Sequence, residues 1–344
     1  MRLSYSTVYM LKSKKRGFAH LITLFTLALL IIAIWFPLQG TAQPQSEQPD
    51  SRPTDGTMPE EEPTLIDMPD EHRILHALQL AYPHRIVEIS QIDDDWLLEF
   101  TGGEQLYYAE GRFLPENLRD QWEDYDPITF YSYPRDLPEW QPPSPEDKQR
   151  YAAILERRRD RPPRRHPSLY NAIWRAYDES SAYSQVKSIY FLGLQTMVHR
   201  DLLSVLASVE AELRMQAQDD RELAIFIEQL AGIEGYSYRP VAATSSLSFH
   251  SYGAAIDVIP RSYNGTSPYW LWASQWNEKW YTMPYEERFM PPQSFVRIFE
   301  QHGFIWGGKW TLFDTIHFEY RPEILLLNNF SADADVIHQR RFDF

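Results

Sequence analysis

The chain has no cysteine among its 344 residues. That single absence removes disulfides, thiolate metal sites and cysteine nucleophiles together. It leaves the compartment open, because both cytosolic proteins and disulfide-free exported proteins fit it. Other chemistry is missing too. There is no His-Glu-x-x-His, no Gly-x-Ser-x-Gly and no phosphate-binding loop. Basic charge is also short: the formal net charge is −15, although residues 1–42 carry five basic residues and no acid. The body is therefore more acidic still, which argues against a nucleic-acid partner.

What is present begins with a positive cluster from Lys12 to Arg16 and an uncharged apolar run from Leu21 to Phe36, followed by Gly40-Thr41-Ala42. This pattern reads as a signal peptide or an N-terminal membrane anchor over residues 1–42, leaving attachment through residues 18–38 open. Either way the body is expected to be exported, periplasmic or extracellular. Residues 43–64, rich in Pro, Gln, Ser and acids, read as a disordered linker. Residues 65–140 read as a small α+β accessory meander. A helix is expected over Asp70–Tyr82 and strands over 85–90, 96–100 and 106–109, with turns at Asp93-Asp94-Asp95 and Gly102-Gly103.

Residues 141–167 form a Pro/Arg-rich connector with the run Arg157-Arg-Arg-Asp-Arg-Pro-Pro-Arg-Arg165, either a solvated linker or a contact for an anionic polymer. Helices are expected over 168–177, over a periodic segment 199–216, and over 220–230 with a stop at Gly232. They read as a scaffold behind a sheet, with His199 a structural histidine. Residues 331–344 are a tail.

The chemistry lies in the last third. Ser248-Phe-His250-Ser-Tyr-Gly253-Ala-Ala-Ile-Asp257 is answered by Asp314-Thr-Ile-His317-Phe-Glu319. A catalytic zinc commonly takes three N/O ligands and keeps a fourth position for water. His250, Asp257 and His317 could supply the three, leaving Asp314 as the base such a water needs. Gly253 is where the chain can bend between the first two, and Val258-Ile259 puts Asp257 at the head of a strand. His317 and Glu319, two apart, face one side of a strand. Glu319 can then orient a ligand or a substrate amine. Alone, each residue has an ordinary reading, His250 in a loop, Asp257 and Asp314 as caps. The segment from Arg261 to Gln293 is dense in Tyr and Trp, and reads equally as a packing cap or as a cleft wall.

Arg239, Ser248-x-His250-x-x-Gly253-x-Ala255-x-Asp257, Trp306-Gly-Gly-Lys-Trp310 and Asp314-x-x-His317-x-Glu319 together resemble the M15 zinc metallopeptidases over about residues 190–328. That group comprises D-alanyl-D-alanine carboxypeptidases and L-alanyl-D-glutamate endopeptidases, and the tryptophan-glycine-glycine element is most similar to the endopeptidase branch. The resemblance implies a zinc peptidase domain over 168–330. Its fold would be α+β and Hedgehog/DD-peptidase-like, an antiparallel sheet carrying the metal with helices packed behind. It implies Zn2+ on His250, Asp257 and His317, with Asp314 as general base towards a water on the metal. Arg239 would hold the oxyanion or a substrate carboxylate, and Ser248 and Glu319 would support ligands or substrate. The implied partner is a peptidoglycan stem peptide. The competing expectation is a non-catalytic wall-binding or scaffold protein that keeps the fold. Deletion of residues 43–165 is expected to separate the two, since an enzyme confined to 168–330 would go on cleaving peptide.

Overall fold

Acidic residues Asp70 and Glu71 open helix α1 (Asp70–Ala81), the sign of charge that a helix N-terminus favours, and Leu75, Leu78 and Ala81 form its buried stripe. The computed structural model describes residues 70–92, 95–241 and 246–330. The expected leader, linker and C-terminal tail, and Asp93-Asp94 of the first expected turn, lie outside the described residues. Strands β1 (Ile86–Ile92), β2 (Asp95–Phe100) and β3 (Gln105–Ala109) follow as an antiparallel meander. A fourth strand, β4 (Arg112–Leu114), joins because Glu110 and Gly111 both take positive φ, 46° and 84°, the tight hairpin geometry that returns the chain onto β3.

Helix α2 (Pro145–Asp160) starts at a reciprocal cap in which Ser144 and Asp147 each accept from the other's backbone N–H. Helices α3 (Ser168–Trp174) and α4 (Glu179–Gln185) lead to the hairpin β5 (Val186–Phe191) and β6 (Leu194–His199). Leu192 and Gly193 are its two-residue turn, at φ 52° and 84°. The segment expected to be helical from residue 199 thus begins with the end of a strand, and α5 (Leu203–Gln216) starts later. Helix α6 (Arg221–Glu228) ends at Gln229. Gly232 is not its stop but lies inside β7 (Leu230–Glu234), beside Ile259.

The second sheet is antiparallel throughout, in the order β7, β8 (Ala255–Pro260), β10 (His317–Tyr320), β9 (Phe304–Trp306). Asp257 sits in the middle of β8 rather than at its head. Between β8 and β9 come α7 (Trp270–Ala273) and α8 (Gln293–Gln301), and α9 (Pro322–Leu327) follows β10. The fold is thus mixed helix and antiparallel sheet. Helix α8 supplies Phe295 and Phe299, whose rings meet those of Phe304 and Phe318 at centroid distances of 4.5–5.7 Å. All four are fully buried, each worth roughly 1.5–3 kcal/mol by removal from water.

One apolar core runs from α1 and the meander through α3, α5 and the second sheet. Two tyrosines from the first half reach carboxylates of the second. Tyr82 Oη donates to Glu323 Oε2 at 2.7 Å. Tyr133 Oη donates to Glu300 and accepts from the Trp306 N–H at 2.8 Å, and Lys309 Nζ closes that cluster on Glu300 at 2.5 Å. No helix among the described residues is long and apolar enough to cross a membrane.

Replacing Tyr82 by Phe removes a buried hydrogen bond to a charged group. The expected cost is about 1.5–3 kcal/mol of unfolding free energy, read by urea denaturation. An unchanged midpoint would show that this link between the two halves does not stabilise them.

Candidate metal centre and cleft

A short 3₁₀ turn, Phe249–Tyr252, delivers His250 to the interior. Ser248 caps it, its Oγ accepting from the His250 N–H at 3.3 Å. Gly253 ends it at φ 67°, and a Cβ there would meet the His199 nitrogen at 2.7 Å. Conformation and space both require glycine. The chain then enters β8, whose Asp257 is the cross-strand partner of His317 on β10, so the two side chains share a face.

Three atoms converge there. His317 Nδ1 lies 2.8 Å from Asp257 Oδ1, and His250 Nε2 lies 3.2 Å from that oxygen and 3.1 Å from His317 Nδ1. The other ring nitrogens are already engaged. His250 Nδ1–H faces the Gly235 carbonyl at 2.5 Å and His317 Nε2–H faces Glu319 Oε1 at 3.1 Å. Those partners would hold the tautomers that leave His250 Nε2 and His317 Nδ1 available to a metal, the usual arrangement around metal-bound histidines. A tetrahedral zinc with bonds of ~2.0–2.2 Å separates its donors by ~3.3–3.5 Å, close to the spacing observed. The donor set therefore fits a zinc ion, and all three residues are buried.

The electrostatics agree. Burial opposes charge on His317, yet its bonds to Asp257 and Glu319 raise its pKa well above the ordinary histidine value. Burial likewise works against ionised Asp257, and the two histidines still hold it far below the carboxylate range. Both shifts describe a cluster that attracts positive charge. For Glu319, burial is outweighed by His317 and Arg321, so its pKa falls. The support continues outward. Arg321 Nη1 lies 3.6 Å from Glu319, Arg321 Nε donates to Glu323, and Glu323 accepts from Tyr82 at 2.7 Å and Tyr170 at 3.3 Å.

Asp314 lies apart from the three donors but on the same cavity of about 1070 Å³. Its backbone N–H donates to the Gly307 carbonyl at 3.0 Å, and a Cβ on Gly307 would meet the Asp314 carbonyl oxygen at 2.5 Å. Burial pushes the Asp314 carboxyl up to about 7, with the charge of His317 pulling the other way. Its Oδ1 is buried without a hydrogen-bond partner among the described residues. Arg239 is placed by its backbone, which exchanges hydrogen bonds with Ser251 Oγ at 2.9 and 2.8 Å and accepts from the Ser248 N–H at 3.0 Å. Its exposed side chain lines the cavity.

The aromatic segment divides between the two expected roles. Trp270, Trp280 and Met283 pack with Phe313 in a separate small core, while Tyr263, Tyr269, Trp270 and Trp272 line the cavity. His199 is structural: it is fully buried, its Nε2 lies 3.0 Å from the Trp174 carbonyl, and burial lowers its pKa to about 4. Sequence reasoning missed Arg321, for which the alternation His317, Glu319, Arg321 was a readable signal. It also missed Tyr131 on the cavity, for which no local signal exists, and could not tell Arg158 and Arg165 from the other arginines of the basic run.

Residues 242–320 match the M15 peptidase family described as D-alanyl-D-alanine carboxypeptidase. The matched span includes every candidate metal ligand and Asp314, and begins three residues after Arg239. Residues 74–130 match a family described as a domain of unknown function. Nothing matches among curated proteins or among solved structures. The first match supports a peptidase of the M15 family, a zinc-dependent group, and the His-Asp-His cluster is a site that could hold the metal.

Metal analysis tests the cluster directly. The purified chain is expected to carry close to one zinc, His250→Ala and His317→Ala far less, and Asp314→Ala the full amount. Equal zinc in all four proteins would remove the three residues as ligands.

Proposed function

We propose that the protein is an exported, zinc-dependent peptidase that hydrolyses an amide bond in peptidoglycan stem peptides, as a D,D-carboxypeptidase or an L,D-type endopeptidase. The domain would be Hedgehog/DD-peptidase-like. The observation that carries this reading is the convergence of His250 Nε2, Asp257 Oδ1 and His317 Nδ1 within 3.2 Å, in a cavity that also holds a buried, unpartnered carboxylate oxygen of Asp314. Export is supported by the basic cluster and apolar run at the N-terminus, and it is what the proposed cell-wall substrate would require.

His250, Asp257 and His317 would hold the zinc. Bound there, zinc supplies Lewis acidity towards the scissile carbonyl and makes water more acidic. Asp314 takes the proton of the attacking water and returns it to the leaving amine. Desolvation suits it to both halves of that task near neutrality, and a cation on the neighbouring donors draws its proton affinity down again. Arg239 presents a planar fork of donors to the developing oxyanion or to a terminal carboxylate. Glu319 keeps the His317 ring in the tautomer that offers Nδ1 to the metal.

Mass spectrometry of stem-peptide fragments incubated with the zinc-loaded chain should show a single hydrolysed amide. Asp314→Ala should slow that reaction by about 10²–10⁴-fold with zinc retained. Bound zinc with no cleavage of any stem peptide would instead favour a wall-binding protein.

Gly307→Ala tests placement rather than chemistry. The added methyl displaces the Asp314 backbone, so hydrolysis should fall at least about tenfold, the effect of a misplaced catalytic group, while zinc content stays unchanged. Wild-type rates in that variant would mean that the position of Asp314 is unimportant.

A further inference from the structure

Part of the cavity wall comes from outside residues 242–320, the span of the peptidase match. Ile128, Thr129, Tyr131 and Ser132 line it from a stretch without regular structure. Irregular backbone inside a fold needs hydrogen-bond partners, and here they hold the stretch in place. The Ile128 N–H donates to the Gly111 carbonyl at 2.8 Å. Asn328, just past α9, grips the backbone on both sides of Ser132. Its Nδ2 donates to the Tyr131 carbonyl at 3.0 Å and its Oδ1 accepts from the Tyr133 N–H at 2.9 Å. The Tyr131 ring packs with Trp310 against the small core of Tyr133, Ile305, Ile324 and Leu325. Backbone and ring are both fixed, which leaves the hydroxyl as the reactive end of the side chain.

That hydroxyl sits among the groups that support the metal centre. Glu319 and Arg321, which line the same cavity, and Glu323 behind them all act on it electrostatically. Burial pushes its pKa up, so it keeps its proton. The Trp310 indole N–H is buried without a hydrogen bond of good geometry, and the group it faces is the Tyr131 hydroxyl. An indole N–H only donates. The Tyr131 oxygen is therefore the acceptor in that contact, and its own proton is left over. Among the described residues nothing takes that proton. The Trp310 ring lies 5.5 Å from that of His317, which sets the spare donor near a candidate metal ligand. Arg321 is shared by Glu319 and Glu323. One cation between two carboxylates leaves the surroundings of the hydroxyl net negative, which suits a neutral acceptor better than an incoming carboxylate.

We infer that Tyr131 is a substrate-binding residue, whose hydroxyl donates a hydrogen bond to a peptide carbonyl of the substrate beside the metal centre. The inference rests on the peptidase reading, and it gives the N-terminal half of the chain a part in the cleft.

The probe is fluorescently labelled L-alanyl-γ-D-glutamyl-L-lysyl-D-alanyl-D-alanine, with versions in which one amide at a time is replaced by an ester, whose carbonyl is the poorer acceptor. Binding is measured by anisotropy to the zinc-loaded Asp314→Ala chain, which should not turn the peptide over. It is compared with the same chain carrying Tyr131→Phe, which keeps the packed ring and removes only the hydroxyl. Loss of the hydroxyl is expected to weaken binding of the all-amide peptide about 2–10-fold, the range for one uncharged hydrogen bond. One of the esters should weaken binding to the chain that keeps Tyr131 and matter less once the hydroxyl is gone, the coupling that marks two groups in contact. Zinc content should stay the same, which separates direct contact from a shift passed through Trp310 to His317. Equal affinities with and without the hydroxyl, a loss coupled to no ester, a fall in zinc, or no binding of any peptide overturns the assignment. If binding behaves as expected but the chain without the Asp314 change cleaves no peptide, the contact stands and the peptidase reading falls. Cleavage by a chain indifferent to Tyr131→Phe keeps that reading and removes the contact.

Discussion

Asp257 and His317 face each other because β8 and β10 pair in one register, and the candidate site depends on that register. Side chains alternate across a strand, so a slip of one residue would turn Asp257 or His317 to the opposite face. The pairing is held on that opposite face by apolar burial. Phe318, between His317 and Glu319, is fully buried against Phe295 and Phe299 of α8, and Ile256 and Val258 flank Asp257 in the same way. The core thus fixes which side of the sheet carries the donors. Gly253 adds the third donor by letting the chain turn sharply between His250 and β8.

Around this register lies a graded sequence of charges. His317 leans on Glu319, Glu319 on Arg321, Arg321 on Glu323, and Glu323 on Tyr82 and Tyr170. Buried ions are expensive, and each is tolerated here because the next partner compensates it. A candidate metal ligand on β10 is in this way oriented by a hydroxyl just past the end of α1. Trp306-Gly-Gly-Lys-Trp310 plays a parallel part. Gly307 admits the Asp314 backbone, Lys309 is locked on Glu300, and Trp306 Nε1 donates to the Thr315 carbonyl at 2.8 Å, bracing the turn that carries Asp314.

Much of the site was legible because its signals are local. The six-residue gap from His250 to Asp257 with a glycine inside it, and the two-residue step from His317 to Glu319, map onto a turn and a strand by backbone geometry alone. The α1 helix and the strands β1 to β3 were legible for the same reason, through apolar periodicity. Local reading failed where long-range contact decides. Gly232 has the look of a helix stop, but pairing with β8 makes it a strand residue. The periodic segment from residue 199 has the look of one helix, but pairing with β5 makes its first residue the end of β6. Nothing in a run of arginines indicates which one a neighbouring aromatic core will hold against a cavity, so Arg158 could not be told from Arg157 or Arg159.

The contact of α1 with α9, sealed by Tyr82 and Glu323 across 241 residues of chain, has a temporal meaning. Loop closure over such a span is slow and cannot begin until the far end of the chain exists. The meander is complete early in synthesis, but the helix it must meet is the last described element to emerge. His317 arrives just before it. A chain released or clipped ahead of residue 317 therefore lacks one donor of the candidate metal centre and, in the same stroke, the surface that closes its first core. Such fragments would lack the contact that closes the first core, which keeps unfinished copies within reach of proteases.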